Sequence, residues 1–581
     1  MDDFLKDMII SASGWRKVFA ADGDEHSAEK DISENDRLLT AGIGHVFAAW
    51  ALSRDCRTVV SGRDARPTGN AICSILNRVL ASEGLEIRDL SICSAPEIMA
   101  YTKETPEADA FIYVSASHNP RGHNGVKFGL GDGSVAGGKD AAEIISLFRE
   151  YMSGPDIRNR LVQILNKAEG IQLSPDTENF KNEALKTYLD FNLRTAFPEK
   201  RHEEEFIKAE KPSIIADMNG SARALSIDRE FFDRLGIRYA FINDEAGNIA
   251  HGILPEGKNL ESAAEFLRKK HSEDSSFTVG YMPDNDGDRG NLVFISENGE
   301  VTVPDAQTVF ALAFAAELSF MEYSGMIAEG KTATAVNCPT SMRIEKIASL
   351  FGVKVFRSEV GEANVVNLAA EKRAEGYCVR FLGEGSNGGN ITHPATVRDP
   401  LNTIMSIIKF RAMPELYRIW CTRSGACFRE NPSWDEMIAT LPEYRTTATD
   451  DPLAKMQITC TDHGLLKNSY EEVFAEEWEK RKKELEEKFG FVSWKEVNYI
   501  GTSSIEGTGP ETRSKGTKGG LKIIFSDRNG TEKGFIWMRG SGTEPVFRIL
   551  ADSEGADTEK ERWLIEWQRN LVSEADRRAS R

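Results

Sequence analysis

The sequence lacks a positive balance of charge: 91 acidic residues outnumber 72 basic ones, for a net charge of -19. Broad nucleic-acid binding and docking on anionic membranes both need a cationic surface, so neither is expected. A local pocket of arginine and lysine can still take an anionic substrate. Cysteine is sparse, and the eight at positions 56, 73, 93, 338, 378, 421, 427 and 460 include no C-x-x-C pair. That spacing offers neither a zinc ribbon nor a thioredoxin-type site, and it fits incidental thiols in a reducing compartment. Long apolar runs are missing too. The most apolar helical stretch, around Val309–Phe320, is shorter than a membrane span and contains Glu317. The start of the chain, Met1 to Asp7, is acidic and has no basic segment leading an apolar one, so it does not read as a secretory signal. A cytoplasmic location without a membrane partner is expected. The turn at 539–545 does not spell G-x-x-x-x-G-K-[ST] and the turn at 114–120 does not spell G-x-S-x-G, which argues against a Walker-type nucleotide site at the first and a serine-hydrolase elbow at the second.

What remains is an ordinary globular composition, 40% hydrophobic and 28% charged, over 581 residues, enough for several domains. Strand-like runs alternate with amphipathic helical stretches, which points to α/β layers. Thr58–Val60 reads as a strand, Ala142–Met152 as a helix with Ile144, Ile145, Leu147, Phe148 and Met152 on its apolar spacing. Pro198–Pro212 is dense in charge and reads as a solvated boundary before a strand at Ser213–Ala216. Further breaks fall at Ser296–Gly299 and near Arg423–Pro432. Glu471–Gly490 reads as a surface helix with Phe474, Trp478, Leu485 and Phe489 on one side, and Thr502–Gly520 as a flexible loop before the strand Leu521–Phe525. Four domains are expected, at 1–200, 201–302, 303–428 and 429–581, the last α+β and enlarged by a long insertion.

Four strand-end loops carry the chemistry. The run Phe111–Val114 opens into Ser115-Ala-Ser-His-Asn-Pro120, with Lys127 ten residues after Ser117. A serine hydroxyl beside a lysine suits a group that carries phosphate, because adjacent His118 is poorly placed as a hydrolase base. After Phe277–Met282 comes Pro283-Asp-Asn-Asp-Gly-Asp-Arg-Gly290. Asp284, Asp286 and Asp288 alternate, so an extended backbone converges three carboxylates, which repel unless a hard cation neutralises them. Arg289 and Ile295 stand where an EF-hand needs Gly and Glu, so an EF-hand is excluded and Mg²⁺ is favoured. After Tyr377–Leu382, Gly383-Glu-Gly-Ser-Asn-Gly-Gly389 offers Glu384 and Ser386 on a turn that admits close approach, suited to sugar hydroxyls. After Gly534–Met538, Arg539-Gly-Ser-Gly-Thr-Glu-Pro545 makes an anion nest of successive N–H groups with a charged fork from Arg539, which Arg548 can reinforce. Ser13–Arg16 and the first loop's Arg63, Asp64 and Arg66 add cations near the first domain's strand ends.

In this order, these segments resemble the α-D-phosphohexomutases, the family of phosphoglucomutase and phosphomannomutase, over nearly the whole chain. The resemblance implies four α/β domains around a central cleft, each giving one loop. It makes Ser117 the phosphoserine and a metal ligand with Asp284, Asp286 and Asp288, and Lys127 the general acid/base. Arg16, His118 and Arg289 would line the reacting phosphate; Glu384 and Ser386 would grip sugar hydroxyls; Arg539, Ser541, Gly542 and Thr543, with Arg548, would hold the phosphate that does not react. The implied activity interconverts hexose 1-phosphate and hexose 6-phosphate through glucose 1,6-bisphosphate and Mg²⁺, in a monomer or weak dimer; glucose is favoured, a phosphomannomutase or a dual glucose/mannose enzyme is the nearest alternative, and glucosamine is less favoured. Lys127 works as a base only if its pKa falls, so nearby Arg or Mg²⁺ charge should depress it. A phosphosugar-binding protein without turnover is the alternative of another class. The sequence departs from the family at Gly383–Gly389, at Val360-Gly-Glu-Ala-Asn364 and at Asp399-Pro400, all three in the third domain, where they bear on sugar specificity and not on the phosphoserine or metal loops.

Overall fold

The computed structural model describes residues 4–5, 7–12, 14–385, 388–513, 519–540 and 546–580. It is a mixed α/β chain with four main sheets. Two compact units divide it, Met1–Val303 with Ile391–Ala412, and Pro304–Asn390 with Met413–Arg581.

The first unit holds two sheets. In one, the strand order is Ile9–Ser11, Gly14–Val18, His123–Leu130, Ala110–Val114, Thr58–Arg63, Glu86–Ile92. Every residue of Ala110–Val114 is buried, as a strand covered on both faces requires. It runs parallel to Thr58–Arg63 and antiparallel to His123–Leu130, with Tyr113 opposite Lys127. That register sets Lys127 one strand away from the end of the run that delivers Ser117. In the other sheet the order is Val301–Thr302, Gly290–Ile295, Phe277–Pro283, Ser213–Asp217, Tyr239–Ile242. Phe277–Pro283 and Gly290–Ile295 form an antiparallel pair, so the aspartate loop is a hairpin between two buried strands.

The second unit holds a parallel arrangement of Lys354–Ser358, Thr332–Asn337 and Cys378–Gly383, then an antiparallel sheet. In the latter, Val546–Glu554, Glu532–Gly540, Gly520–Ser526 and Ser493–Ile500 are consecutive neighbours. The helices His463–Phe489 and Thr558–Ala579 lie on one face, where Phe474, Trp478, Leu564 and Trp567 pack with Phe525, Ile536 and Phe547.

Two sequence expectations need correction. The charged stretch before Ser213 is a helix, Lys200–Lys208, which buries Phe206 and His202 despite its many acids. The charge lies on its outer side. Within Thr502–Gly520, residues Ser503–Glu506 form a strand paired with Ser493–Ile500; the partner's hydrogen bonds, not local propensity, order it. Pro400 opens the helix Pro400–Ala412, which packs with the first unit, and Asp399 accepts from Arg223.

Candidate active site

Ser117 and the three aspartates come together, although 167 residues separate Ser117 from Asp284. Ser117 takes a left-handed backbone, φ 53°, just past its strand. Its N–H donates to Ser115 Oγ at 2.8 Å, and Ser115 Oγ donates to Asp286 Oδ2 at 3.0 Å. Ser117 Oγ itself donates to Asp284 Oδ2 at 3.0 Å and lies 3.4 Å from His118 Nδ1. Arg66, fully buried, pairs with Asp64 and donates to the Ser117 carbonyl at 2.8 Å, fixing the turn from below.

Asp284, Asp286 and Asp288 are all buried, and one oxygen from each lies within 4.8 Å of the others. Asp284 N–H donates to the Arg289 carbonyl, and Arg289 N–H donates to Asp284 Oδ1 at 3.1 Å, closing the hairpin. Gly287 has φ 70°, and a Cβ there would meet Arg223 Cγ at 2.4 Å, so both backbone and space require glycine. Burial, then the charges of Asp286 and Asp288, pushes the Asp284 carboxyl well above the ordinary carboxylate value. Burial also works to raise Asp286, but the Lys127 ammonium, 2.7 Å from Asp286 Oδ2, carries it below that value. Asp286 Oδ1 and Asp288 Oδ1 are buried acceptors without a hydrogen-bond partner. A compact all-oxygen set with open acceptors fits a hard divalent cation.

The cations implied for the reacting phosphate also gather here. Burial and then Arg289 lower the Arg16 pKa, while Arg289, burial and Arg16 together hold His118 well below its ordinary range. His118 is therefore neutral at neutral pH. Arg289 Nε stands 3.9 Å from Asp288, and Arg398, which the sequence reading missed, is 3.5 Å from Asp288 Oδ2. Of the charges expected to depress the Lys127 pKa, arginine by itself does not do so. Burial and Arg16 do lower its pKa, but Asp286 and Asp288 outweigh them and the value rises. The lysine here is an ion-paired ammonium.

Behind the aspartate loop stands another group that the motifs did not reveal. Arg223 is wholly buried and donates to Asp228 at 2.9 Å, Asp399 at 3.2 Å and the Gly287 carbonyl at 3.3 Å. Tyr188 O–H donates to Asp399 Oδ2 at 2.5 Å. Asp399 thus holds the arginine that braces the aspartate loop from behind. A lone arginine 61 residues before Asp284 has no local signature.

The remaining expected residues lie in the second unit. Glu384 is buried, and its Oε1 accepts from Asn337 Nδ2 and from the Gly361 N–H, each at 2.8 Å. Gly361 and Glu384, one from each of two segments that depart from the family, therefore adjoin. Arg539 lies at the end of Glu532–Gly540, 3.3 Å from Glu359, and Arg548 stands directly opposite it on the next strand. Ser386, Ser541, Gly542 and Thr543 lie outside the described residues.

Among the described residues, no helix is long and apolar enough to cross a membrane. Residues 12–154 match the model of phosphoglucomutase/phosphomannomutase α/β/α domain I, and residues 311–415 that of domain III. A phosphoglucomutase/phosphomannomutase of Thermococcus kodakarensis is 27% identical over 96% of this chain and 99% of its own length. A phosphoglucosamine/phosphogalactosamine mutase of Sulfurisphaera tokodaii is 25% identical over 93% and 95% of the respective lengths. A solved phosphoglucomutase/phosphomannomutase family protein of Burkholderia thailandensis superposes with a TM-score of 0.60 over 98% of both chains at 17% identity, a likeness of fold. With both domain models matched in order and relatives aligned nearly end to end, the chain is similar in sequence and in fold to the phosphoglucomutase/phosphomannomutase family.

Proposed function

We propose that the protein is a phosphohexomutase, an intramolecular phosphotransferase that interconverts hexose 1-phosphate and hexose 6-phosphate through a phosphoserine at 117. The observation that carries this reading is Ser117 Oγ held 3.0 Å from Asp284 in a buried set of three aspartates. Asp284, Asp286 and Asp288, joined by the Ser117 oxygen, would hold Mg²⁺, which supplies charge neutralisation and polarisation of the phosphoryl group.

The chain's own residues account for the rest. Phosphoryl transfer asks chiefly for positioning and electrostatic stabilisation. Arg16, Arg289 and neutral His118 surround the position of the Ser117 phosphoryl group, His118 as a hydrogen-bonding group without added charge. A sugar hydroxyl attacks phosphorus, the Ser117 Oγ–P bond breaks, and the hydroxyl proton passes to a base. Lys127 serves as that base only after Asp286 and Asp288 are engaged elsewhere, because those carboxylates hold its proton. The hexose 1,6-bisphosphate then turns, its other phosphate returns to Ser117, and Arg539 and Arg548 hold the end that does not react. The four-domain division at 200, 302 and 428 belongs to this reading.

Glucose is the proposed hexose. Mannose and glucosamine are the alternatives, the latter because the Sulfurisphaera relative carries an amino-sugar name. A coupled assay with glucose, mannose and glucosamine 1-phosphates, Mg²⁺ and a trace of hexose 1,6-bisphosphate tests the proposal. Turnover of at least one, abolished in Ser117→Ala, is expected. Binding of all three with no turnover would instead favour a phosphosugar-binding protein.

A further inference from the structure

No motif gives a role to the stretch from 414 to 520, yet it brings two lysines to the Arg539 end of the antiparallel sheet. Lys455 lies in the short strand Lys455–Gln457, directly opposite Arg548, and Arg548 lies directly opposite Arg539. Residues opposite one another on neighbouring strands share a face and stand roughly 5 Å apart at Cβ. Met456, Phe547 and Met538 all enter the core beneath the helices. Lys455, Arg548 and Arg539 therefore form a row of three cations on the other face. Like charges so placed repel. Glu359 answers Arg539 at 3.3 Å; Lys455 and Arg548 have no ion pair among the described residues.

The second lysine comes over the end of the same sheet. His463 opens the helix His463–Phe489, and its ring lies against Gly540, where a Cβ would meet Nδ1 at 2.2 Å. Lys467, one turn later on the same side of the helix, donates from Nζ to the Gly519 carbonyl at 2.9 Å. Gly520, the next residue, stands directly opposite Arg539. The ammonium is buried, and burial followed by the charge of Arg513 brings its pKa down to about 8. Arg539 acts in the same sense, while Glu359 and Glu496 oppose it; Glu471, which pairs with Arg513, belongs to the same group of charges.

We propose that the 414–520 segment completes the anion site of Arg539 and Arg548, with Lys455 and Lys467 as positioning residues for the phosphomonoester end of the substrate that does not react. The inference rests on the mutase reading and deepens it. A bisphosphate adds a second dianion that a protein of net charge -19 must hold against its own field. A row of cations supplied by the extra segment provides that compensation locally.

Steady-state kinetics of the full-length enzyme, with hexose 1-phosphate, Mg²⁺ and trace bisphosphate, tests this on Lys455→Gln, Lys467→Met and Arg539→Gln. For each lysine variant KM should rise about tenfold, the worth of one charge-assisted contact, with kcat within about twofold. Wild-type KM should also climb as pH passes about 8 and Lys467 loses its proton, and Lys467→Met should lose that dependence. Lys455 is exposed, so its replacement keeps the test decisive even if Lys467→Met unfolds. A KM within twofold of wild type in Lys455→Gln, and in any folded Lys467→Met, overturns the inference while a raised KM in Arg539→Gln leaves the mutase reading standing. No turnover in the wild type removes both.

Discussion

Ser117 shows how little chemistry a single side chain carries and how much its neighbours supply. Its hydroxyl is unactivated, and its 3.0 Å contact with Asp284 becomes useful because two further carboxylates stand beside it. Those three charges oppose one another, so a divalent cation that neutralises them stabilises the folded chain. At about a hundred times its Kd, Mg²⁺ should add about 3 kcal/mol, read as a rise in melting temperature. Asp284→Asn and Asp288→Asn should each shrink that rise, and an unchanged shift in both would place the ion elsewhere. Lys127 gives a second prediction. Asp286→Asn leaves its buried ammonium with Asp288 alone, 3.7 Å away. Removing one partner of a buried pair costs about 3–5 kcal/mol. A shift below about 1 kcal/mol in the urea midpoint would show that the pair is not holding that lysine.

Among elements, the hairpin of Phe277–Pro283 and Gly290–Ile295 depends on a support distant in sequence. Arg223 links the Gly287 carbonyl to Asp228 and Asp399. Groups that orient metal ligands from behind typically matter about 10- to 100-fold in affinity. Arg223→Met should therefore raise the Mg²⁺ concentration for half-maximal stabilisation by at least about tenfold; an unchanged value would make Arg223 a packing residue only. The four loop-bearing strands were legible because each is an apolar run stopped by Gly, Pro or clustered polar residues, as at Phe111–Val114 and Phe277–Met282. Arg223 was not legible, since its partners come from three separate stretches. The helix Lys200–Lys208 and the strand Ser503–Glu506 were hidden for a related reason. Their order comes from burial of Phe206 and from a pairing partner, while their composition reads as solvated. The rise in the Lys127 pKa was not legible, because the aspartates that fold against it come from a loop 159 residues away and leave no mark on its own motif.

At the scale of the molecule, the second unit carries ionisable groups whose burial sets the pH response of its stability. Burial first, and Arg357 next, brings the Lys522 pKa from 10.5 to about 7. Between those values the unfolded chain binds the extra proton, so Lys522 adds stability as pH rises from about 7 to 10.5. Glu496 has the opposite slope. Burial and then Glu471 raise it from 4.5 to about 8, so the folded chain holds the extra proton and stability falls across that window. The second unit should therefore lose stability from about pH 5 toward 8 and regain it above. Glu496→Gln should flatten the fall and Lys522→Met the recovery, both read from urea midpoints across pH. A monotonic profile in the wild type would contradict this assignment.

Ser117 is the residue proposed to carry the phosphoryl group. Incubation of the full-length protein with hexose 1,6-bisphosphate and Mg²⁺, followed by peptide mass spectrometry, tests it most directly. One phosphopeptide, containing Ser117 and lost in Ser117→Ala, is the predicted result. Phosphate at another residue, or turnover that survives Ser117→Ala, would contradict the account.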